Sequence, residues 1–302
     1  MQRVTSNMFP DTLVNQFARL NQRQLELQRQ AVTGLRVENP ADDPAAMRRI
    51  LQLQAEARTV AQYQTNIARL KERTTAGYNA FQSVQKILAR AGEIATLAGG
   101  GRSPAELRIY AAEVSQLIRQ AAQTLNAQSQ GDYLFGGTRT DQPPFVLTED
   151  ANGRITSVTY QGNSTIPAHE IAEGVTVQIL PANGTTDTVT GADLFTHLIE
   201  LQDRLDAGDV AAIQANSLPA LNTDEEHITG QVATLGALFR HMETAAGLAT
   251  RRADSLDQLI SAQADADLAE VITRLNQTQT AYQAALQSGA RLLNLSLLDY
   301  LR

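Results

Sequence analysis

The sequence contains no cysteine, which removes disulfides, thiol nucleophiles and thiolate metal sites together. It has no tryptophan either, and aromatic residues make up only 5% of its 302 positions, which suits thin helical packing better than a broad globular core. The four histidines, His169, His197, His227 and His241, show no short metal-ligand spacing. No Gly-x-Ser-x-Gly elbow occurs. The glycines before Arg102 lead into a helix that could hold an anion, but no Gly-Lys-Ser/Thr follows, so the run reads as an inter-helix turn. These absences argue against an enzyme and against a bound metal or cofactor. The formal net charge of −7 argues against a nucleic-acid groove. No apolar run approaches the roughly 18–20 residues that span a bilayer, and the last segment carries few basic residues to attract it to a membrane surface. The start of the chain shows no basic stretch followed by an apolar one, so any export is expected to use a route without a cleaved signal.

What the sequence does have is helical periodicity. In residues 5–36, Leu13, Phe17, Leu20, Gln24, Leu27 and Ala31 recur at alternating four- and three-residue steps. In residues 267–301, Leu268, Ile272, Leu275, Gln279, Tyr282, Leu286, Gly289 and Leu293 do the same. That spacing keeps one seam turned toward a partner helix. Burying so thin a stripe offsets only part of the entropy lost in ordering each segment. Each segment is therefore expected to order on the other or on neighbouring copies.

Between them the chain reads as helices flanking strands. A seven-residue repeat runs through Leu53, Val60, Ile67, Thr74, Phe81, Leu88 and Ala95, predicting one long helix that starts at Asp43-Pro44 and stops at Gly99-Gly100-Gly101. Ser103-Pro104-Ala105-Glu106 is a capping box for a helix reaching about Gln130, with Gly131 ending it. Alternating stretches then follow, punctuated by Asn152-Gly153, Gly162-Asn163, Gly174 and Asn183-Gly184, predicting antiparallel strands over 138–190. Helical pattern returns at Asp193 and breaks near Gly208. Thr223-Asp224-Glu225-Glu226 reads as the cap of a further long helix through Leu235, Leu238 and Met242. The expected fold class is mainly α with a small β insert, a long antiparallel helical bundle with terminal coiled-coil helices. Its expected domains are 1–43 plus 265–302, 44–137 plus 191–264, and the β-rich insert 138–190.

The segment Thr33-Gly34-Leu35-Arg36-Val37-Glu38-Asn39-Pro40-Ala41-Asp42-Asp43-Pro44-Ala45 resembles the stretch that closes the first helix in bacterial flagellins and their relatives. That family usually has Ser/Thr-Gly-x-Arg-Ile/Val, then Asn, then Asp-Asp-Pro/Ala. Asp265-Ala266-Asp267-Leu268-Ala269 is similar to the acidic start of its last helix, and Leu295-Ser296-Leu297-Leu298-Asp299-Tyr300-Leu301 to its apolar end. The stretches Gly131–Thr138, Pro144-Phe145 and Gly191–Phe195 point to the hook-associated branch, whereas the Ala-Ala-Gly-Leu that commonly follows the Asp-Asp pair in flagellins is absent. The resemblance covers both ends and both helical blocks, and little of 138–190.

The resemblance implies a secreted structural protein of the extracellular flagellum, exported unfolded through the type III apparatus with the help of a chaperone. It would assemble with copies of itself into a ring or short helical zone, between hook-associated protein 1 on the hook side and flagellin on the filament side. A filament-forming flagellin, another hook-associated protein, and a soluble coiled-coil adaptor remain alternatives. The implied assembly interface comprises Leu13, Phe17, Leu20, Leu27, Gly34, Arg36, Asn39, Asp42 and Asp43. At the other end it comprises Leu268, Ile272, Leu275, Tyr282, Leu286, Leu293, Leu297 and Leu298. Asp42 and Asp43 could in principle hold a metal, but Pro44 favours helix capping. Asp265 and Asp267 likewise suit a helix start. For Arg36 two readings stand: a bridge to a neighbouring copy, or a solvated charge at a helix end.

Overall fold

A computed structural model describes residues 8–300 apart from 181, 182 and 188, with side-chain surroundings from Thr12 to Ala290 except Leu13. It divides into two compact units. One comprises residues up to Thr59 and from Arg252 onward, and the other Val60–Arg251. Helices α1 (Met8–Thr33), α2 (Pro44–Ala98) and α3 (Pro104–Leu125) come first. Four two-stranded antiparallel hairpins follow: β1 (Gln128–Ser129) with β2 (Asp132–Tyr133), β3 (Phe145–Glu149) with β4 (Ile155–Tyr160), β5 (His169–Ala172) with β6 (Val175–Val177), and β7 (Thr186–Asp187) with β8 (Ala192–Asp193). Helices α4 (Leu194–Ala207), α5 (Val210–Ala212), α6 (Leu218–Ala264) and α7 (Leu268–Tyr300) complete the chain. The architecture is mainly α with a small β insert, as the periodicities predict.

In the unit Val60–Arg251 the seven-residue repeat of α2 points inward. Val60, Ile67, Thr74, Phe81, Leu88 and Ala95 are all buried, as are the companions Leu70, Val84 and Ala91. Helix α3 begins at the expected capping box, where Ser103 Oγ accepts from the Glu106 backbone N–H and the Glu106 carboxylate accepts from the Ser103 N–H. Its buried stripe includes Leu107, Val114, Ile118 and Leu125, and it packs on α4. The hairpins build no separate core. Phe145, Ile155, Ile171 and Val177 bury their side chains in the same cluster as Phe81, Ile118 and Leu198. A lone two-stranded hairpin is marginal in water, so support from the helices is what holds these pairs.

Two expected boundaries move. Helix α3 stops at Leu125, not near Gln130, because the Asn126 side chain turns to bond Phe145: its Nδ2 donates to the Phe145 carbonyl at 2.8 Å and its Oδ1 accepts from the Phe145 N–H at 2.9 Å. Gln130 (φ +55) and Gly131 (φ +93) then form the tight turn of the first hairpin. Helix α6 starts at Leu218, so Thr223-Asp224-Glu225-Glu226 lies inside it and caps nothing. A π turn, Ile213–Ser217, joins α5 directly to α6 and buries Ile213 and Ser217.

Asp224 instead has an internal role. Its buried carboxylate accepts from the Asp193 backbone N–H at 2.8 Å and from His197 Nδ1 at 2.8 Å, pinning the start of α4 to α6. Burial pushes the Asp224 pKa up, against the hydrogen bonds from His197 and Asp193. Along α6 Ile228, Leu235 and Met242 are fully buried, while Leu238 is only half buried. Phe81 meets Phe135 edge-on with ring centroids 5.0 Å apart. Phe81→Ala is expected to lower stability by about 3–5 kcal/mol in urea denaturation. Leu235→Asp, which places a charge in the same core, should abolish the cooperative transition.

Candidate assembly interface

The second unit is built around a joint between the end of α1 and the turn joining α6 to α7. Gly34 terminates α1 in the left-handed conformation (φ +72), which any other L-residue adopts only at a cost. Beyond it the chain runs antiparallel to the α6–α7 turn. Leu35 bridges Asp265, the Ala266 N–H donates to the Gly34 carbonyl at 2.8 Å, and the Arg36 N–H donates to the Ala264 carbonyl at 2.7 Å. Val37, Ala46, Ile50 and Ala264 bury a small apolar cluster beneath these bonds.

The acidic pair of the motif holds this joint from the polar side. Asp42 Oδ2 accepts from the Glu38 and Asn39 backbone N–H groups at 3.1 and 2.9 Å, and Oδ1 lies 3.0 Å from Arg29 of α1. Asp43 caps α2 by accepting from the Ala45 and Ala46 N–H groups, just ahead of Pro44. Arg36 reaches Asp43 at 3.4 Å and donates to the Gln263 carbonyl at 2.8 Å, so it is engaged within its own chain. Asp267 caps α7 through the Ala269 and Glu270 N–H groups. The backbone N–H of Asn39, with Arg29 second, holds the Asp42 carboxyl below the usual carboxylate range. The backbone N–H of Ala46 does the same for Asp43.

From the joint, α1 and α7 pack against each other. On α1 the expected seam is the inward one. Leu27 is buried and Phe17, Leu20, Gln24 and Ala31 are half buried. Phe17 meets Tyr282 edge-on at 6.0 Å and lies where a Cβ on Gly289 would touch its ring. On α7 the inward face keeps Leu275, Gln279, Tyr282 and Gly289 of the expected seam and takes Val271 in place of Leu268 and Ile272. Val271 and Gly289 are buried, and Leu275 and Tyr282 half buried, whereas Leu268, Ile272 and Leu286 stand exposed. Gly289 leaves room for the Phe17 ring to come close to α7. Leu13, Leu293, Leu297 and Leu298 have side chains outside the described residues.

The exposed apolar residues are themselves patterned. On α1, Val14, Leu25 and Val32 are exposed, Val32 by 86%. Their spacing keeps them on one helix face, opposite buried Leu27. On α7, Leu268, Ile272 and Leu286 also share a face, beside the buried one. Each terminal helix thus has two apolar faces, one closed against the other helix and one open. The α1 set was readable in the sequence as a second heptad-compatible series beside the stronger seam. Arg29 and the carbonyls of Gln263 and Ala264 carried no such signal, because their roles depend on a contact between distant segments.

Paired terminal helices with open apolar faces, and a helical section carrying hairpins, define the class: a long-helix protein that leaves apolar surface uncovered at its chain ends. Residues 4–140 match the bacterial flagellin N-terminal helical region. The chain is 25% identical over 313 aligned positions, 98% of each chain, to flagellar hook-associated protein 3 of Salmonella typhimurium. A putative flagellar hook-associated protein from Vibrio parahaemolyticus superposes with a TM-score of 0.64 at 23% identity, over 74% of this chain and 99% of that one. The flagellar junction protein FlgL of Legionella pneumophila superposes at 0.56 with 14% identity, over 73% and 100%. By these matches the chain is similar to bacterial flagellin over its N-terminal part and to flagellar hook-associated protein 3 along its length, which supports a structural role in the flagellum. No helix among the described residues is long and apolar enough to cross a membrane.

Two outcomes are expected at the joint. Gly34→Ala should destabilise it by about 1–2 kcal/mol, read as faster amide exchange in residues 30–40 and 264–268. Because Asp42 and Asp43 have depressed folded-state pKa values, their stabilisation is fully present above the ordinary carboxylate range. It is lost as pH falls through those depressed values. Amide protection at the joint should therefore fall in acid, and Asp42→Asn should remove most of Asp42's share of that pH dependence.

Proposed function

We propose that this protein forms the junction between the hook-side adaptor and the flagellar filament. Its terminal helices pack with those of neighbouring copies into the inner wall of a short tube. The observation that carries this reading is the open apolar face on each terminal helix: Val14, Leu25 and Val32 on α1, and Leu268, Ile272 and Leu286 on α7. A monomeric bundle has no use for a second apolar stripe in heptad register, whereas a subunit surrounded by copies covers it. Tubular packing of this kind uses heterologous contacts, in which one face of a copy meets a different face of the next. Hook-associated protein 1 on one side, flagellin on the other and a chaperone before export are the partners this role requires. The polar joint lets the two ends order together once they meet.

Deleting the gene, imaging the cells by electron microscopy and assaying the medium for flagellin tests the role. Hooks without filaments, with monomeric flagellin in the medium, are expected. Missing filaments with no flagellin anywhere would make this chain the filament subunit, and normal flagella would favour a soluble adaptor. Leu286→Asp should leave the melting of Val60–Arg251 unchanged while reducing incorporation roughly tenfold or more, because an unpaired charge would enter a packed seam. Leu293→Asp is expected to act alike.

A further inference from the structure

Resting on the tubular reading, and apart from the terminal helices, we infer that a second copy-to-copy contact lies on the sections of α2 and α6 next to the joint, where an arginine-flanked apolar stripe on α2 meets an acidic face on α6 of the neighbouring copy. On α2, Arg48, Leu51, Ala55 and Arg58 fall on one face and are all exposed, Leu51 by 54%. The buried direction of this section, marked by Ala46, Ile50 and Val60, is the opposite one. Among the described residues neither Arg48 nor Arg58 has an ion-pair partner, and neither does Arg49 beside them. By contrast Arg29, Arg36 and Arg252 of the same unit are each paired within the chain. Arg48 and Arg49, with Gln52 and Gln263, line a groove of about 540 Å³ at the foot of the stripe.

The complementary surface is on α6. Asp254 and Asp257 are exposed there, one turn apart, with Asp254 on the side away from buried Leu256 and Asp257 at the edge of the buried face. Neither has an ion-pair partner among the described residues; of their exposed neighbours Gln258 and Ser261 are uncharged, Arg251 is basic and Asp265 is acidic, so the face is acidic on balance. The two surfaces lie on different helices of one unit and carry opposite charge. Opposite charge favours the α2 of one copy against the α6 of the next, the head-to-tail arrangement that tubular packing uses. Leu51 supplies the desolvated centre and the arginines supply the polar rim and the register.

The test uses the absence of native cysteine. Cells lacking the gene receive two variants together, Leu51→Cys and Asp257→Cys, and isolated flagella are oxidised and run without reductant. A disulfide-linked band at twice the chain mass, absent when either variant is supplied alone, is expected. Arg48→Glu with Arg58→Glu should reduce incorporation at least tenfold, as should Asp254→Arg with Asp257→Arg, each without change in the monomer's melting curve. A chain carrying all four reversals should incorporate again. Flagella that contain both cysteine chains but no linked band, or four reversals that do not rescue, overturn the contact and leave the junction reading standing. Flagella that contain neither chain overturn the junction reading and this contact with it.

Discussion

The structure of the unit that carries the chain ends depends on one short stretch of backbone pairing, the bridge between Leu35 and Asp265 with its flanking bonds from Arg36 to Ala264 and from Ala266 to Gly34. It joins segments far apart in sequence, and closing so long a loop has an entropic cost that grows only slowly with length. Once closed, it sets the end of α1 beside the start of α7 and so fixes which residues of the two helices meet. The polar groups around it have double duties. Asp42 ties its own loop together and receives Arg29 from α1, and Asp43 caps α2 and receives Arg36. Loosening the joint therefore loosens a helix end and an inter-helix contact at once.

The other unit solves a different problem. Its hairpins are too small to stand alone, so their inward residues complete a helical core. Asn126 is the hinge of that arrangement in sequence terms: by bonding both backbone groups of Phe145, it ends α3 and sets the register of β3 in one step. Asp224 does the same for α4, accepting the Asp193 N–H from inside the core at the cost of a raised pKa. In both cases a single buried or half-buried polar side chain replaces what a longer sheet ladder would otherwise provide.

The terminal helices distinguish a subunit from a self-contained bundle. Each satisfies one apolar face within the chain and leaves the other open. The closed faces let α1 and α7 lie together, and in the proposed junction role the open faces are the surfaces that neighbouring copies would cover. The low aromatic content fits this division, since long thin contacts between helices are filled by Leu, Val, Ala and Gln side chains with Phe17 and Tyr282 as the single ring pair of the terminal coil described here.

By itself the sequence determined the helical elements, their seven-residue repeat, the caps at Ser103 and Asp43, and the turn at Gly34. Each of these rests on interactions within a few residues, and periodicity and capping report such interactions directly. It also carried the family motif, whose Asp-Asp pair proved to be a capping and joint-forming device. Only the tertiary structure decided the rest. The end of α3 at Leu125 depends on the bonds of Asn126 to Phe145, nineteen residues further on. The removal of Thr223–Glu226 into the interior of α6 depends on a carboxylate needed by α4. The choice of Val271 over Leu268 and Ile272 on the inner face of α7 rests on packing against α1. In each case a partner distant in sequence selects between local arrangements of nearly equal energy, and no window of neighbouring residues contains that partner.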